Sequence, residues 1–323
     1  MSKSVTLAHL SDVHLPFHGG FTSGLRPGLV NVKRVLGWLN WTRKRQFIHL
    51  AWAIEKIVAD VKARAPDHVL VSGDLINIGL PSEYEAAREW LTALGPPGWV
   101  SVVPGNHDAY VAREAEAGLA LWSPYMASDA FGQTIAEPGM AFPYVRRAGP
   151  VAIIGVNSGV ATRPGSAIGE IGAQQLARLA TSLDRLGEAG LVRLVMIHHP
   201  PVPGLAPPQR ALSDAEALAG VLAQHGAELV VHGHNHVMSS IMNGAMAIEG
   251  VASASAGRAY SDEPLARYNL IRIAPPVSPT GSVQIEIETR GLDSTGEAVT
   301  QIALRTIDIQ VHRTQFKGKG SAL

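Results

Sequence analysis

Hydrophobic and polar positions along this chain form alternating blocks that predict a protein of both helices and strands. Short apolar runs predict buried strands at residues 5–11, 68–72, 99–103, 151–156, 191–197 and 228–231. Between these runs the apolar residues recur with helical spacing, which predicts helices at residues 47–65, 81–94, 171–186 and 213–224. Residues 19–40 are rich in glycine and turn formers, so we expect that segment to be irregular.

The pattern changes after His236. Shorter β-like runs at residues 238–246, 267–273, 283–288 and 302–311 predict a mainly antiparallel sheet, whereas the earlier strands and helices alternate as βα units. We therefore predict an α/β fold with a single domain over residues 1–312. The basic, glycine-containing residues 313–323 are expected to form a flexible tail.

Composition excludes several classes of protein. Hydrophobic residues make up 46% of the 323 residues, which is enough for a sizeable core. The 27 Lys and Arg residues balance 27 Asp and Glu residues, so no nucleic-acid partner is expected. The absence of cysteine excludes disulfides, thiolate metal sites and a cysteine nucleophile. Neither a signal peptide nor a membrane-spanning run is evident, so we expect a cytoplasmic protein.

A polar cluster directly follows each of five predicted strands. The side chains just beyond the carboxyl ends of neighbouring strands in an α/β sheet converge on one crevice. Seven of the 13 histidines and three aspartates fall in these clusters, whereas a histidine elsewhere, such as His49 or His68, is expected to be an ordinary satisfied polar residue. The clusters contain Asp12 and His14; Asp74; Asn106, His107 and Asp108; His198 and His199; and His232, His234 and His236.

The donor types in these clusters indicate metal ions. Carboxylate, imidazole and amide donors without sulfur suit Mn, Fe, Zn, Co or Ni. The donors are too many for one tetrahedral zinc, which indicates two ions. Two ions about 3.5–4 Å apart are a common arrangement for displacement at phosphorus.

The motifs D-x-H, G-D, G-N-H-D, H-x-P and G-H-x-H occur here in that order over residues 12–236, and they resemble those of the calcineurin-like metallophosphoesterases. The local sequences are similar to the bacterial branch that contains class III cyclic nucleotide phosphodiesterases and glycerophosphodiesterases. The resemblance implies a four-layer αββα sandwich, in which two mixed β-sheets are flanked by helices. It also implies two divalent or trivalent ions, whose identity among Mn, Fe, Zn and Co stays open.

The same resemblance implies a role for each matching residue. A metal-bridging hydroxide would attack phosphorus. Asp108, by its position next to His107 in the sequence, is expected to orient that histidine. One metal would take Asp12, His14 and His236, the other Asn106, His198 and His234, with Asp74 bridging them and His107 assisting the leaving group.

A count of charges supports diester chemistry independently of the family. Two divalent ions, two aspartates and a hydroxide leave the centre at about +1, which suits a diester monoanion, whereas a monoester dianion would need further cations. Two alternatives stay open. One is a pyrophosphatase acting on a nucleotide-sugar lipid, and the other is a non-catalytic metal-binding scaffold of the same fold.

The segment of residues 13–54 contains no acidic residue, and we call it the acid-free segment. Its six cations and three tryptophans are explained either by a solvated basic face or by an insertion, at about 15–46, beside the metal centre. Such an insertion would recognise an anionic, partly apolar substrate or a membrane surface. On the second interpretation Arg43, Arg45 and His199 are candidates for substrate binding, and residues 26–45 for peripheral contact with a membrane or lipid. The oligomeric state stays open.

Overall fold

Twelve strands form two six-stranded mixed sheets in the part of the chain that the computed structural model describes, which is residues 4–16, 31–274 and 281–311. The strands are β1 (Val5–Leu10), β2 (His68–Val71), β3 (Val100–Val102), β4 (Tyr144–Ala148), β5 (Val151–Gly155), β6 (Val192–Met196), β7 (Leu229–His232), β8 (Ser239–Asn243), β9 (Met246–Gly250), β10 (Arg267–Ile273), β11 (Ser282–Leu292) and β12 (Val299–Gln310). The helices are α1 (Val32–Arg43), α2 (Ala51–Arg64), α3 (Pro81–Leu94), α4 (Ala112–Ala120), α5 (Ala173–Glu188) and α6 (Ala215–His225).

The strand order is β12-β11-β10-β1-β2-β3 in the first sheet and β4-β5-β6-β7-β9-β8 in the second. Strands β1, β2 and β3 are parallel to one another, as are β5, β6, β7 and β9, whereas β4, β8 and β10–β12 pair antiparallel. The predicted antiparallel sheet is therefore not separate, because β10–β12 extend the first parallel sheet and β8 and β9 extend the second.

Alternate residues of the second sheet enter two different cores, as the two-residue period of a strand requires. On β6, Leu194 and Met196 pack in the core between the sheets, whereas Val195 packs against α5 and α6 on the outer side. Helices α2 and α3 also join the core that contains the first sheet. The predicted two-sheet fold flanked by helices is thus confirmed.

Some predicted elements were wrong. Helix α1 occupies the end of the segment expected to be irregular, and its Gly37 serves packing, since a Cβ there would collide with the Tyr110 hydroxyl. The run at 238–246 is a hairpin of β8 and β9, turning at Gly244 with a φ of +61°. Helix α4 and strand β4 were not predicted.

The described residues contain no helix that is long and apolar enough to cross a bilayer. Residues 17–30, which are part of the predicted insertion, and the predicted tail at 313–323 lie outside the described residues. The domain boundaries and the cytoplasmic location stay predictions.

Candidate metal centre

The candidate ligands lie where the carboxyl ends of β1, β2, β3, β6 and β7 face one another. Five of them have a left-handed backbone, although none is glycine. A side-chain-bearing residue in that region is strained, and such strain concentrates at functional sites, where the surrounding structure holds it in place. The five residues and their φ angles are Asp12 (+53°), His14 (+39°), Asp74 (+54°), His234 (+71°) and His236 (+58°).

One group of donors contains Asp12, His14 and His236, all of which are buried. The Nε2 atoms of His14 and His236 are 3.3 Å apart. The Oδ1 atom of Asp12 lies 3.2 Å from His236 Nε2, and Asp74 Oδ2 lies 3.8 Å from His14 Nε2. The donor atoms therefore converge on a volume that suits one cation.

A second group contains Asn106, His198 and His234. The Nε2 atom of His198 lies 3.2 Å from Asn106 Oδ1 and 3.1 Å from His234 Nδ1. It is also 3.4 Å from Asp74 Oδ2, the same oxygen that approaches His14 in the first group. Asp74 is thus the carboxylate shared by the two groups.

In each of these four histidines the second ring nitrogen is held by an oxygen. When a histidine donates one N–H to a fixed acceptor, its other nitrogen carries the lone pair that a metal requires, and the ring orientation is set. The pairs are His14 Nδ1 with Ile76 O at 3.2 Å, His198 Nδ1 with Ser72 O at 2.7 Å, His234 Nε2 with Arg210 O at 2.8 Å and His236 Nδ1 with Glu263 Oε2 at 3.0 Å.

The centre also contains a buried oxygen without a hydrogen-bond partner, Asp12 Oδ1. An unpaired buried carboxylate oxygen is costly unless a cation lies against it. Although burial disfavours ionisation, neighbouring imidazoles hold the pKa of Asp74 well below its usual range. The described donors therefore fit two hard or borderline cations.

His107 presents its Nε2 atom to the same crevice. Its Nδ1 atom lies 2.5 Å from the carbonyl oxygen of Asn77, and its backbone N–H donates to Asp74 Oδ1 at 2.8 Å. Arg45 lies against the ring, with Nη1 2.9 Å from His107 Nε2 and 3.4 Å from His107 Nδ1, and with Nη2 3.3 Å from His14 Nε2. Burial and the Arg45 guanidinium lower the pKa of His107 to about 3.

The structure does not place Asp108 against His107, as the sequence had led us to expect. The carboxylate instead accepts hydrogen bonds from the backbone N–H groups of Asp74, at 2.7 Å, and Gly105, at 2.8 Å. It also accepts from the N–H groups of the two residues that follow Asp74. Burial and the charge of Asp74 raise the pKa of Asp108, while the loop N–H donors oppose that shift. Asp108 therefore holds the loop that carries Asp74, and the Asn77 carbonyl orients His107.

The two groups open into one cavity of about 160 Å³, which we call the central pocket. Residues from the acid-free segment form part of its wall, as expected of an insertion beside the metal centre. The wall contains Asn40, Lys44, Arg45, Ile48, His49, Asp74, Asn106, His107, Ala167, Arg210, His234, His236 and Glu263.

Sequence reasoning missed His49 and Glu263. His49 was expected to be an ordinary buried histidine, and its Nδ1 is indeed paired with Ser255 Oγ at 2.9 Å. It nevertheless lines the central pocket, and its ring centroid lies 4.6 Å from that of His14. Glu263 follows no strand-end motif, so only its contact with His236 identifies it.

Two of the three residues expected to bind substrate are not part of the pocket wall. Arg43 is exposed on the outer side of α1. His199 is buried, with Nδ1 2.8 Å from Ser158 Oγ and Nε2 3.2 Å from the Ala167 carbonyl oxygen, so both of its nitrogens are engaged by the protein. Only Arg45 reaches the pocket.

Comparisons with known proteins agree with this geometry. A probable cyclic nucleotide phosphodiesterase from Synechococcus sp. is 32% identical over 183 residues, which are 56% of this chain and 62% of that protein. The glycerophosphodiester phosphodiesterase GpdQ of Enterobacter lignolyticus is 34% identical over 102 residues, which are 32% of this chain and 29% of that protein. The chain thus spans less than two thirds of the length of either relative.

Two solved structures share the fold. A dimetal phosphatase from Danio rerio superposes with a TM-score of 0.60 at 14% identity, covering 95% of this chain and 99% of that one. A purple acid phosphatase from yellow lupin gives 0.54 at 12% identity, with 95% and 54% covered. The family description of calcineurin-like phosphoesterases matches residues 5–238. The chain therefore belongs to the calcineurin-like phosphoesterase family.

Proposed function

We propose that this protein is a dinuclear metal-dependent phosphoesterase that hydrolyses phosphodiesters. The observation that carries the proposal is that two donor groups share Asp74 and open into one pocket, beside His107 and Arg45. The names of the two relatives, both phosphodiesterases, support the reaction class.

The described residues would divide the work as follows. Asp12, His14 and His236 would hold one ion and Asn106, His198 and His234 the other, with Asp74 reaching both. Two such ions supply an activated water and neutralise charge on the phosphate. We propose two divalent or trivalent ions from the group Mn, Fe, Zn and Co.

His107 Nε2 is the nitrogen that would face the leaving oxygen, because Nδ1 is held by the Asn77 carbonyl. To act as the acid, the neutral ring would first take up a proton at Nε2. In the structure that Nε2 accepts from Arg45. A bound phosphate offers the guanidinium stronger, charge-assisted acceptors, so Arg45 would turn its N–H groups to the nonbridging oxygens. With the guanidinium turned away and the phosphate charge beside it, His107 Nε2 would take up a proton from solvent and pass it to the ester oxygen as that oxygen leaves.

Arg45 also favours a second candidate. The metals, two aspartates and a hydroxide leave the centre at about +1, and Arg45 raises it to about +2. That charge suits a substrate with two negative charges, which includes a phosphomonoester dianion as well as the pyrophosphate of a nucleotide-sugar lipid. This pyrophosphatase is the alternative to a simple diesterase.

A panel of phosphate esters tests the proposal. We expect the full chain with Mn²⁺ to cleave an aryl diester faster than the corresponding aryl monoester, with cyclic AMP, a glycerophosphodiester and a nucleotide diphosphate-sugar lipid as further substrates. The Asp74→Ala variant should lose this activity, whereas Asp308→Ala, which removes an exposed carboxylate of β12, should keep it.

The outcomes separate the candidates. Preference for the monoester would contradict the diester assignment, and preference for the nucleotide-sugar lipid would select the pyrophosphatase. Two bound ions per chain without hydrolysis of any substrate would identify a metal-binding scaffold.

A further inference from the structure

Helix α1 buries Trp41 on its inner side but turns a stripe of aliphatic residues away from the protein. Val32, Val35, Leu36 and Leu39 are 69%, 37%, 50% and 41% exposed. Their spacing of three and four residues places them on one face of the helix, which we call the outer stripe. A surface helix ordinarily buries such a stripe, so this arrangement requires an explanation.

The opposite face of α1 carries the buried charge. Arg34 is buried; its Nε donates to the Ile78 carbonyl at 3.2 Å, and its guanidinium lies 3.4 Å from Glu114 Oε2. Lys33 likewise donates to the Tyr110 carbonyl at 2.9 Å. The helix is therefore anchored by hydrogen bonds and ion pairs on its inner face, and its apolar residues are available to a partner outside.

The charge near the outer stripe is positive. Arg43 continues the same face four residues after Leu39 and is exposed, and Lys44 follows it. The acid-free segment supplies no carboxylate to pair with Arg43, whereas Lys44 lies over the Tyr260 ring and lines the central pocket together with Glu263. An apolar strip ending in cations complements a surface that offers both hydrocarbon and anionic groups.

The size of the outer stripe argues against a second copy of the chain. The exposed fractions of its four side chains amount to roughly 300–400 Å², which is within the range of the largest apolar patch on a monomer. A stable protein interface buries about 800 Å² on each partner, of which a little over half, roughly 450 Å², is apolar, so the outer stripe alone falls short of it. A lipid surface sets no such minimum, because an interfacial helix inserts only one shallow face.

The outer stripe is continuous with the central pocket. Asn40 follows Leu39 directly, and Asn40, Lys44 and Arg45 line the pocket. A surface that contacts α1 would therefore lie beside the pocket mouth.

We propose that the outer stripe of α1 docks this protein on an anionic lipid bilayer. Leu36, Leu39 and their neighbours enter the interface between headgroups and acyl chains, and Arg43 contacts the anionic headgroups. This inference does not depend on the proposed phosphoesterase activity.

Co-sedimentation of the full chain with vesicles tests the proposal. Vesicles of phosphatidylcholine with 30% phosphatidylglycerol are compared with vesicles of pure phosphatidylcholine, at about 0.1 M salt. We expect the parent to bind the anionic vesicles, and the double variant Leu36→Gln/Leu39→Gln to bind at least tenfold more weakly. Loss of Arg43 in an Arg43→Ser variant should weaken binding about fivefold, as expected for one cation near an anionic membrane.

The chain offers a matched control on another surface. Ile302 and Leu304 of β12 are 45% and 54% exposed, so Ile302→Gln/Leu304→Gln removes a similar apolar area away from α1. We expect that control to bind vesicles as the parent does. Equal binding by the parent and the α1 double variant would overturn the proposal, as would a parent that binds neither vesicle. A parent dimer in sedimentation velocity that the α1 variant abolishes would also overturn it, in favour of a subunit interface.

Discussion

Replacement of Arg45 by methionine tests the proposed site at the residue that sequence motifs do not supply. The change removes the guanidinium whose Nη1 and Nη2 atoms lie 2.9 Å from His107 Nε2 and 3.3 Å from His14 Nε2. Methionine retains much of the volume, so the pocket wall is preserved. No carboxylate within ion-pair distance of Arg45 is present among the described residues, which leaves the guanidinium available to a phosphate.

Two estimates of the effect agree. A guanidinium about 4 Å from a phosphate charge contributes about 4 kcal/mol at an effective dielectric constant of about 20. Removal of one preorganised donor from a transition state typically lowers the rate by about 10²–10³, or roughly 3–4 kcal/mol. We therefore expect Arg45→Met to lower kcat/KM for an aryl diester by about 10²–10³, and Arg45→Lys to keep part of the activity.

The assay is steady-state hydrolysis of an aryl diester with Mn²⁺, with metal content measured on the same samples. Arg43→Met is the matched control, because Arg43 lies two residues away but is exposed and absent from the pocket wall. It should retain activity within about twofold. An Arg45→Met enzyme within threefold of the parent would refute the phosphate-binding role. A variant that loses its metals together with its activity would show that Arg45 acts on the ligands instead.

Three further predictions concern the ligands, the acid and the core. Asp74→Ala should weaken metal binding at both sites, whereas Asp12→Ala should mainly empty one site, with the ions counted by elemental analysis. Two ions held tightly by the Asp74→Ala variant would contradict the bridging role. His107→Ala should lower kcat on alkyl diesters by about 10²–10⁴. The loss on nitrophenyl esters should be smaller, because their leaving group needs no proton. Equal losses on both substrates would exclude the acid role. Burial lowers the pKa of His68 from 6.5 to about 4, so the unfolded chain binds more protons than the folded one between these values. Stability should then be complete above about pH 6.5 and fall by about 2 kcal/mol by pH 5, measured by urea unfolding. His68→Gln should lack that component, and an unchanged pH slope in the variant would be evidence against it.

The buried strands and their terminal motifs could be predicted from the sequence alone. A run such as the one before Asp12 is apolar because both faces of a parallel strand are covered, and this leaves a local signal in the chain. The polar residues that follow each run converge because parallel strands end at one edge. The motifs at these strand ends carried the resemblance to the family, and that resemblance, not the strand pattern, implied the two mixed sheets.

Contacts between residues far apart in the chain could not be predicted in this way. Helix α1 was missed because its stripe faces outward and Gly37 lies in its middle, so its local pattern resembles a turn-rich loop. Asp108 was assigned to its sequence neighbour His107, but its carboxylate satisfies the buried N–H groups of another loop. An unpaired buried donor costs about 1–3 kcal/mol, so a buried N–H group needs an acceptor. Which N–H groups are buried depends on the fold and not on the spacing of residues in the sequence.

The sequence by itself determined which residue types meet at the strand ends, because strand polarity and the two-residue period are local properties. The tertiary structure alone decided that Arg45 and His49 enter the central pocket and that Arg43 faces outward. All three belong to one acid-free segment and carry similar sequence signals. Their different positions follow from how α1 is anchored through Arg34 beside the loop of Ile78, a contact across more than forty residues that no local pattern encodes.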